Sequence, residues 1–178
     1  RVLGTNPLAV AFPSADDPLI IDIGTSSTSW GDVALAQAKG EPLPEGVAVD
    51  VEGQVTTDPA AALAGAFLPW GGHRGSGLSM VVQLFGILAG SAPVIDDVSN
   101  YGLFFLLVDP DVLMSAGDFK ARVSALRQTI SSGRPLEGIS RVRVPGDSSL
   151  QRRKEALAAG VVNLDERVYQ RIVALCEK

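Results

Sequence analysis

Residues 71–77, with the sequence Gly-Gly-His-Arg-Gly-Ser-Gly, are the stretch of this chain whose composition best suits ligand binding. A run of mostly apolar residues follows and predicts a helix over residues 78–89. Free amide N–H groups at the start of a helix attract anions, and the guanidinium of Arg74 can give a phosphate two hydrogen bonds. The pattern predicts a cradle for a phosphate or a carboxylate. It fits equally well a tight turn whose glycines let the loop pack against a sheet.

Asp22 lies near the end of a strand predicted over residues 18–24, a short apolar run closed by Gly24. In an open α/β sheet such strand ends border the ligand crevice, so the carboxylate of Asp22 is a candidate ligand-binding group. The structural alternative, which spacing alone favours, is that Asp22 accepts hydrogen bonds from its own turn at residues 24–27.

A second turn, formed by Pro145, Gly146 and Asp147, stands between a predicted strand and a predicted helix. In a cofactor-contacting loop at this place, the Asp147 carboxylate could accept hydrogen bonds from ribose hydroxyls. The alternative, again favoured by spacing alone, is that Asp147 or Ser148 caps the helix that follows.

The composition excludes several kinds of site. A single histidine, His73, and a single cysteine exclude a multi-histidine metal site, an internal disulfide and a cysteine zinc cluster. The net charge of −5 argues against a nucleic-acid binder. Residues 101–178 nevertheless hold twelve basic and nine acidic residues, so this part could meet an anionic ligand. Gly-x-Gly-x-x-Gly, Walker A and Gly-x-Ser-x-Gly sequences are absent, and no spacing supports a Ser-His-Asp triad through His73.

Apolar strands that alternate with helices predict a layered α/β domain. One strand has a polar face, which favours a mixed sheet over a purely parallel one. The helix at 78–89 is apolar on nearly all sides and is expected to be buried. The predicted strands cover residues 18–24, 47–51, 103–108 and 141–144; the predicted helices cover residues 30–38, 59–66, 78–89, 118–131, 148–159 and 165–177.

Local signals mark the ends of two of these helices. Residues 26–29 are possible caps for the first helix, and Gly40 is expected to end it. Asp58 is expected to cap the second helix, with Pro59 at its first position. In the last helix, the apolar residues at helical spacing are expected to face inward; they are Val168, Ile172 and Leu175.

The chain shows no basic-then-apolar leader, and its longest apolar run is shorter than the ~20 residues that a membrane helix needs. We therefore expect a soluble, cytoplasmic protein that binds neither membranes nor nucleic acid.

Several short motifs occur in an order that resembles one family. They are GTNP at residues 4–7, IDIGTS at 21–26, WG at 30–31, GVAVD at 46–50 with glycine at 53, TTDP at 56–59, LPWGGHRG at 68–75 and VPGD at 144–147. This series is similar to the malate/L-lactate dehydrogenase family of NAD(P)-dependent oxidoreductases, which includes ureidoglycolate dehydrogenases, sulfolactate dehydrogenases and Δ1-piperideine-2-carboxylate reductases. The resemblance covers nearly the whole chain. Each motif alone is weak evidence for the family, but their occurrence in the same order is strong evidence.

The resemblance implies a three-layer domain with a mixed β-sheet, which is a non-Rossmann NAD(P)-binding fold. This domain and the C-terminal helices together make up residues 1–178. It implies NADH or NADPH as cofactor and a small carboxylate as substrate. The substrate and nicotinamide site would include Thr5 and Asn6. The implied cofactor-binding residues are Asp22, Ile23, Gly24, Gly72, His73, Arg74, Gly75, Pro145, Gly146 and Asp147.

Two departures from the family's pattern bear on function. Arg74 stands where the family usually has lysine, which keeps the charge but changes the geometry of phosphate contact. Family members are about twice as long, and the half that carries their catalytic histidine and a carboxylate-binding arginine has no match here; His73 does not match that histidine.

The catalytic residues are therefore unknown, and we expect the cofactor-binding part of an oxidoreductase that acts on 2-hydroxy or 2-oxo acids or on cyclic imino acids. A companion subunit carrying the missing half, or a second copy, would cover apolar surface near Trp70, His73 and the helix at 78–89. Two alternatives are a truncated, non-catalytic binding or assembly module, and an α/β domain without a dinucleotide site.

Overall fold

A computed structural model describes residues 2–94 and 100–176, and within them helices and strands are mixed, as the sequence predicts for an α/β fold. The strands are β1 (Leu8–Phe12), β2 (Leu19–Ile23), β3 (Ala48–Val49) and β4 (Ala66–Phe67). The helices are α1 (Trp30–Lys39), α2 (Pro59–Ala64), α3 (His73–Leu88), α4 (Ala116–Ser131), α5 (Asp147–Ala159) and α6 (Glu166–Cys176).

β1 and β2 form an antiparallel hairpin in which Leu8 pairs with Ile23 and Phe12 pairs with Leu19. The hydroxyl of Ser14 donates to the carbonyl oxygen of Asp17 at 2.6 Å and so closes the turn between the strands. β1 was not among the predicted strands, because alternating alanines weaken the apolar pattern of Leu-Ala-Val-Ala-Phe.

A small core holds the first half of the chain together. Its buried members are Val33, Leu43, Ala48 and Ala62, contributed by α1, α2, β3 and a loop. Gly65 allows the closest approach in this region, because a methyl group there would overlap the carbonyl oxygen of Val49. The core thus joins α1 and α2 to the short β3–β4 pair.

Two predicted helix starts are confirmed. The side chain of Ser29 accepts a hydrogen bond from Asp32 N at the start of α1, and Asp58 accepts one from Ala60 N at the start of α2, with Pro59 in the first turn. Gly40 ends α1 in the left-handed conformation at φ 70°, as its position after the helix predicts.

One exposed ion pair joins α5 to the β1–β2 hairpin. Lys154 Nζ lies 2.6 Å from Asp17 Oδ2 in the hairpin turn. The hydrogen bond from Lys154 lowers the pKa of the Asp17 carboxyl, because it stabilises the ionised form. This exposed ion pair brings the middle of α5 close to the turn between β1 and β2.

Three predicted strands differ from the structure. Only Ala48–Val49 of residues 47–51 forms a strand, because Asp50 Oδ1 accepts from the amides of Glu52 and Gln54 and turns the chain. Residues 103–108 and 141–144 form no strand, since no partner strand lies beside them among the described residues.

The predicted sheet is not assembled within the described residues, where β1–β2 and β3–β4 are separate antiparallel pairs. The three-layer arrangement and the mixed sheet therefore stay predictions. No helix in the described part of the chain is long and apolar enough to cross a membrane.

Two predictions of burial were wrong. α3 buries only Gly75, Ser79 and Gln83, while its apolar side chains are exposed or half-buried. In α6 the side chains expected to face inward, those of Val168, Ile172 and Leu175, are exposed. The apolar pattern is present in both helices, but nothing in the described residues covers it. Residue 177, the last residue of the predicted final helix, lies outside the described residues.

Candidate functional site

Thr25, which is only 1% exposed, joins three of the predicted site segments at the end of β2. Its amide and its Oγ1 hydroxyl both donate to the carbonyl oxygen of Thr5, at 2.9 and 3.0 Å. Its own carbonyl oxygen accepts from the amide of Trp70 at 2.9 Å. The segments that contain Thr5, Asp22 and Arg74 are therefore neighbours.

Asn6 ties the first of these segments to α3. Its Nδ2 donates to the carbonyl oxygen of Ser79 at 3.0 Å and to Oε1 of Gln83 at 3.2 Å. Asn6 is buried, and its backbone has a φ of 36°, a conformation that asparagine tolerates better than most residues. These contacts give Asn6 a structural task, so its expected place in a substrate and nicotinamide site stays a prediction. The same holds for half-buried Thr5.

The glycine-rich stretch is mostly helical, because α3 begins at His73 rather than at residue 78. Gly72 precedes the helix with a φ of 63°, and Gly71 has a φ of 61°, so both adopt the left-handed region that glycine enters freely. Gly75 is buried, and a methyl group there would overlap the carbonyl oxygen of Trp70. Gly75 thus serves close packing, as the structural alternative expects, but within a helix and against Trp70 rather than in a turn against a sheet. The space beside Gly71 and Gly72 is open.

The start of α3 has the electrostatic character of an anion site. No side chain caps it, and its first turn contains no acidic residue. The first amides of a helix have no acceptor within the helix and carry the positive end of its dipole. His73 and Arg74 are exposed at this end, and Arg74 makes no ion pair with any described residue.

The three residues that directly precede Thr25 at the end of β2 are exposed; they are Asp22, Ile23 and Gly24. No hydrogen bond joins the Asp22 carboxylate to the turn at 24–27 or to any other described residue, contrary to the structural alternative. The carboxylate is therefore open to a ligand.

The turn Pro145–Gly146–Asp147 packs against the other end of β2. Gly146 has a φ of 91°, and a methyl group there would lie 3.1 Å from the carbonyl oxygen of Ile20. The strand rise places Ile20 about 13 Å from Gly24. β2 therefore spaces this turn from the Thr25 junction at a distance that an extended ligand could span.

Asp147 organises its own turn. Its Oδ1 lies 2.7 Å from Arg127 Nη2 in α4, and its Oδ2 accepts from the amide of Val144 at 3.3 Å. Gly146 is the residue at the helix N-cap, so neither Asp147 nor Ser148 caps α5. No local pattern marks Arg127 in the sequence, because its partner Asp147 is twenty residues away.

Two cavities flank this turn. One, of about 320 Å³, lies on the side of the Arg127–Asp147 pair and includes Asp16 and Asp17. The other, of about 600 Å³, lies along Pro145 and Gly146 and includes three arginines. Among the described residues, no group of three histidine, cysteine or carboxylate side chains could hold a metal ion.

Comparison with known protein families matches residues 1–173 to the family described as malate/L-lactate dehydrogenase. The chain is 32% identical to the L-sulfolactate dehydrogenase of Methanothermobacter thermautotrophicus, over 99% of this chain and 52% of that protein. It is 36% identical to the Delta(1)-pyrroline-2-carboxylate reductase of Ancylobacter novellus, over 90% of this chain and 49% of that protein.

The fold is similar to that of a dehydrogenase from Sinorhizobium meliloti, with a TM-score of 0.83 and 32% identity over 98% of this chain and 53% of that one. The chain therefore spans about half the length of the relatives that it matches. Because the family match extends over nearly all of its sequence, the chain belongs to the malate/L-lactate dehydrogenase family.

Proposed function

We propose that residues 1–178 are the NAD(P)-binding domain, with its C-terminal helices, of an oxidoreductase that acts on 2-hydroxy or 2-oxo acids or on cyclic imino acids. The relatives include a sulfolactate dehydrogenase and a pyrroline-2-carboxylate reductase, and these activities suggest the two substrate classes. The observation that carries the proposal is the junction at Thr25, which joins three segments expected to contact cofactor or substrate. We also propose that the protein is cytoplasmic, as the sequence leads us to expect.

The residues present suit a nicotinamide dinucleotide. The exposed guanidinium of Arg74 and the uncapped amides after Gly72 would hold its phosphates, with His73 and Gly75 shaping the same helix start. The open carboxylate of Asp22 and the backbone of Ile23 and Gly24 would border it.

At the start of β2, the adenosine portion of the cofactor would contact the turn formed by Pro145, Gly146 and Asp147. Arg127 would hold Asp147 in place. Thr5 and Asn6 would border the nicotinamide. NADH or NADPH would supply the hydride that is exchanged with the carbon beside the substrate carboxylate.

We further propose a companion that carries the part of the relatives this chain does not span, since the exposed apolar surface is continuous. Phe104 stacks on Phe85 of α3 at 4.7 Å, and Gly102 packs against the backbone of Gly86. Beyond that contact every side chain of residues 103–108 is exposed, up to 98% at Leu107. A run apolar on both faces is typical of a central strand covered from both sides.

The same companion would provide the proton donor and the anchor for the substrate carboxylate. The family resemblance places both groups in the half that this chain does not match, and general acid–base catalysis is typically worth about 10²–10⁴ in rate. The chain alone should therefore bind cofactor and reduce 2-oxo acids or cyclic imines only very slowly. Rapid turnover by the chain alone would contradict this part of the proposal.

Cofactor binding is tested by titrating the chain with NADH and with NADPH and following nicotinamide fluorescence. Saturable binding of at least one supports the proposal, and binding of neither overturns it. Sedimentation velocity with an apolar dye tests the companion: self-association or strong dye binding is expected. A compact monomer at high concentration with little dye binding would show that the chain needs no companion. That result would favour the alternative function, a truncated, non-catalytic binding module.

A further inference from the structure

Three arginines surround one cleft beside the Pro145–Gly146 turn. The cleft has a volume of about 600 Å³, and none of the side chains that line it is acidic. Its arginines are Arg134, Arg141 and Arg143, all exposed. Three positive charges around one concave surface repel one another, and an anion bound between them would relieve this repulsion.

None of the three arginines is neutralised within the described residues. None forms an ion pair, and the one hydrogen bond among them runs from Arg143 Nη1 to the hydroxyl of Ser148 at 3.3 Å. Arg127, on the other side of the turn, differs from these three because its guanidinium already pairs with the Asp147 carboxylate at 2.7 Å. The cleft is therefore the part of this region with unused guanidinium donors, the group best suited to bind a phosphate monoester.

The cleft adjoins the proposed path of the cofactor. Pro145 and Gly146 line it, and Gly146 packs on Ile20 at the start of β2. Arg74 and the start of α3 lie near the other end of β2, where the cofactor's linking phosphates are proposed. A second phosphate near Gly146 would then belong to the adenosine end of the ligand. NADPH carries a phosphate on that ribose, whereas NADH carries a hydroxyl.

We propose that Arg134, Arg141 and Arg143 bind the 2′-phosphate of NADPH, so that this chain selects NADPH over NADH. The inference rests on the proposed dinucleotide site. It adds which of the two cofactors is used and which side chains distinguish them.

The test compares dissociation constants for NADPH and NADH, measured by nicotinamide fluorescence, in the wild type and in Arg141→Ala, Arg143→Ala and the double variant. We expect NADPH to bind at least about tenfold more tightly in the wild type, since a hydrogen bond to a charged group is worth about 1.5–3 kcal/mol. Each single substitution should weaken NADPH several-fold, and the double substitution should bring it close to NADH. Affinity for NADH should stay unchanged in all variants.

Arg153→Ala is the matched control, since Arg153 is exposed on α5 but does not line the cleft. Adenosine 2′-monophosphate should compete with NADPH in the wild type and lose this ability in the double variant. Equal affinity for the two cofactors, or an equal loss of both in the variants, would overturn the inference and leave the dinucleotide site standing. Binding of neither cofactor to the wild type would overturn the proposed function and, with it, this inference.

Discussion

The carbonyl oxygen of Thr5 accepts both donors of Thr25, the amide at 2.9 Å and the hydroxyl at 3.0 Å. A carbonyl oxygen has two lone pairs, so both bonds can form together. These two hydrogen bonds hold the first segment of the chain against the end of β2.

Thr25→Val tests the contribution of the hydroxyl, because valine keeps the shape and removes the donor. We expect the free energy of unfolding to fall by about 1 kcal/mol, the usual net worth of a buried hydrogen bond. Urea denaturation measures it. Thr129→Val is the control, since the Thr129 hydroxyl makes a similar bond to the Ala125 carbonyl oxygen on an exposed face of α4. A change at Thr25 no larger than at Thr129 would contradict the importance of the junction.

Asn6→Asp should be strongly destabilising at neutral pH. The substitution keeps the size of the side chain but turns a donor into a carboxylate that faces two acceptors, Ser79 O and Gln83 Oε1. We expect a loss of about 3 kcal/mol in the free energy of unfolding, as for a buried charged group without partners. Asn163→Asp, at an exposed position, should change it by less than about 0.5 kcal/mol. Equal effects at the two positions would show that the amide of Asn6 does not hold α3.

Gly75 and Gly77 lie two residues apart in α3 and should respond to alanine with opposite signs. A methyl group at Gly75 would overlap the carbonyl oxygen of Trp70, whereas at Gly77 nothing lies within 4 Å. Gly75→Ala should cost about 1–3 kcal/mol through overpacking. Gly77→Ala should stabilise the chain by about 0.5–1 kcal/mol, because alanine is the better helix former. Thermal unfolding followed by circular dichroism would show the pair of shifts, and a stable Gly75→Ala variant would refute the close packing of α3 on Trp70.

Arg74→Ala should weaken binding of the dinucleotide and leave the fold unchanged. The exposed guanidinium supports no described contact, and a hydrogen bond to a charged group is worth about 1.5–3 kcal/mol. Arg74→Lys, which keeps the charge, should lose less. Fluorescence titration gives the dissociation constants, with Arg153→Ala as the control on another helix. An unchanged affinity in Arg74→Ala would remove the start of α3 from the cofactor site.

Local signals allowed much of the secondary structure to be predicted. Ser29, Asp58 and Pro59 mark helix starts through contacts within one turn, and the structure confirms them. The start of α3 was predicted five residues late, because the glycines at 75 and 77 read as loop although α3 includes both. Gly75 is required there by the nearby Trp70 carbonyl oxygen, a tertiary contact that composition does not reveal.

The sequence singles out the segments of the candidate site but not the contacts that join them. The motif order singled out Thr5, Asp22 and Arg74, yet Thr25, which joins their segments, carries no chemical signal beyond being a small polar residue after a strand. The Arg127–Asp147 pair and the three arginines of the cleft come together only through folding. Strands predicted at 103–108 and 141–144 lack partners here because strand pairing depends on a neighbour that a local pattern cannot supply.

The exposed apolar run at residues 103–108 makes the isolated chain prone to aggregation. Leu-Phe-Phe-Leu-Leu-Val combines high β-propensity with no charge and no proline, the composition of segments that stack into cross-β fibrils. Phe105 and Leu107 are 86% and 98% exposed, so the segment is open to another copy of itself. In the isolated chain this segment would therefore favour self-association, and a surface that covers it would suppress that tendency.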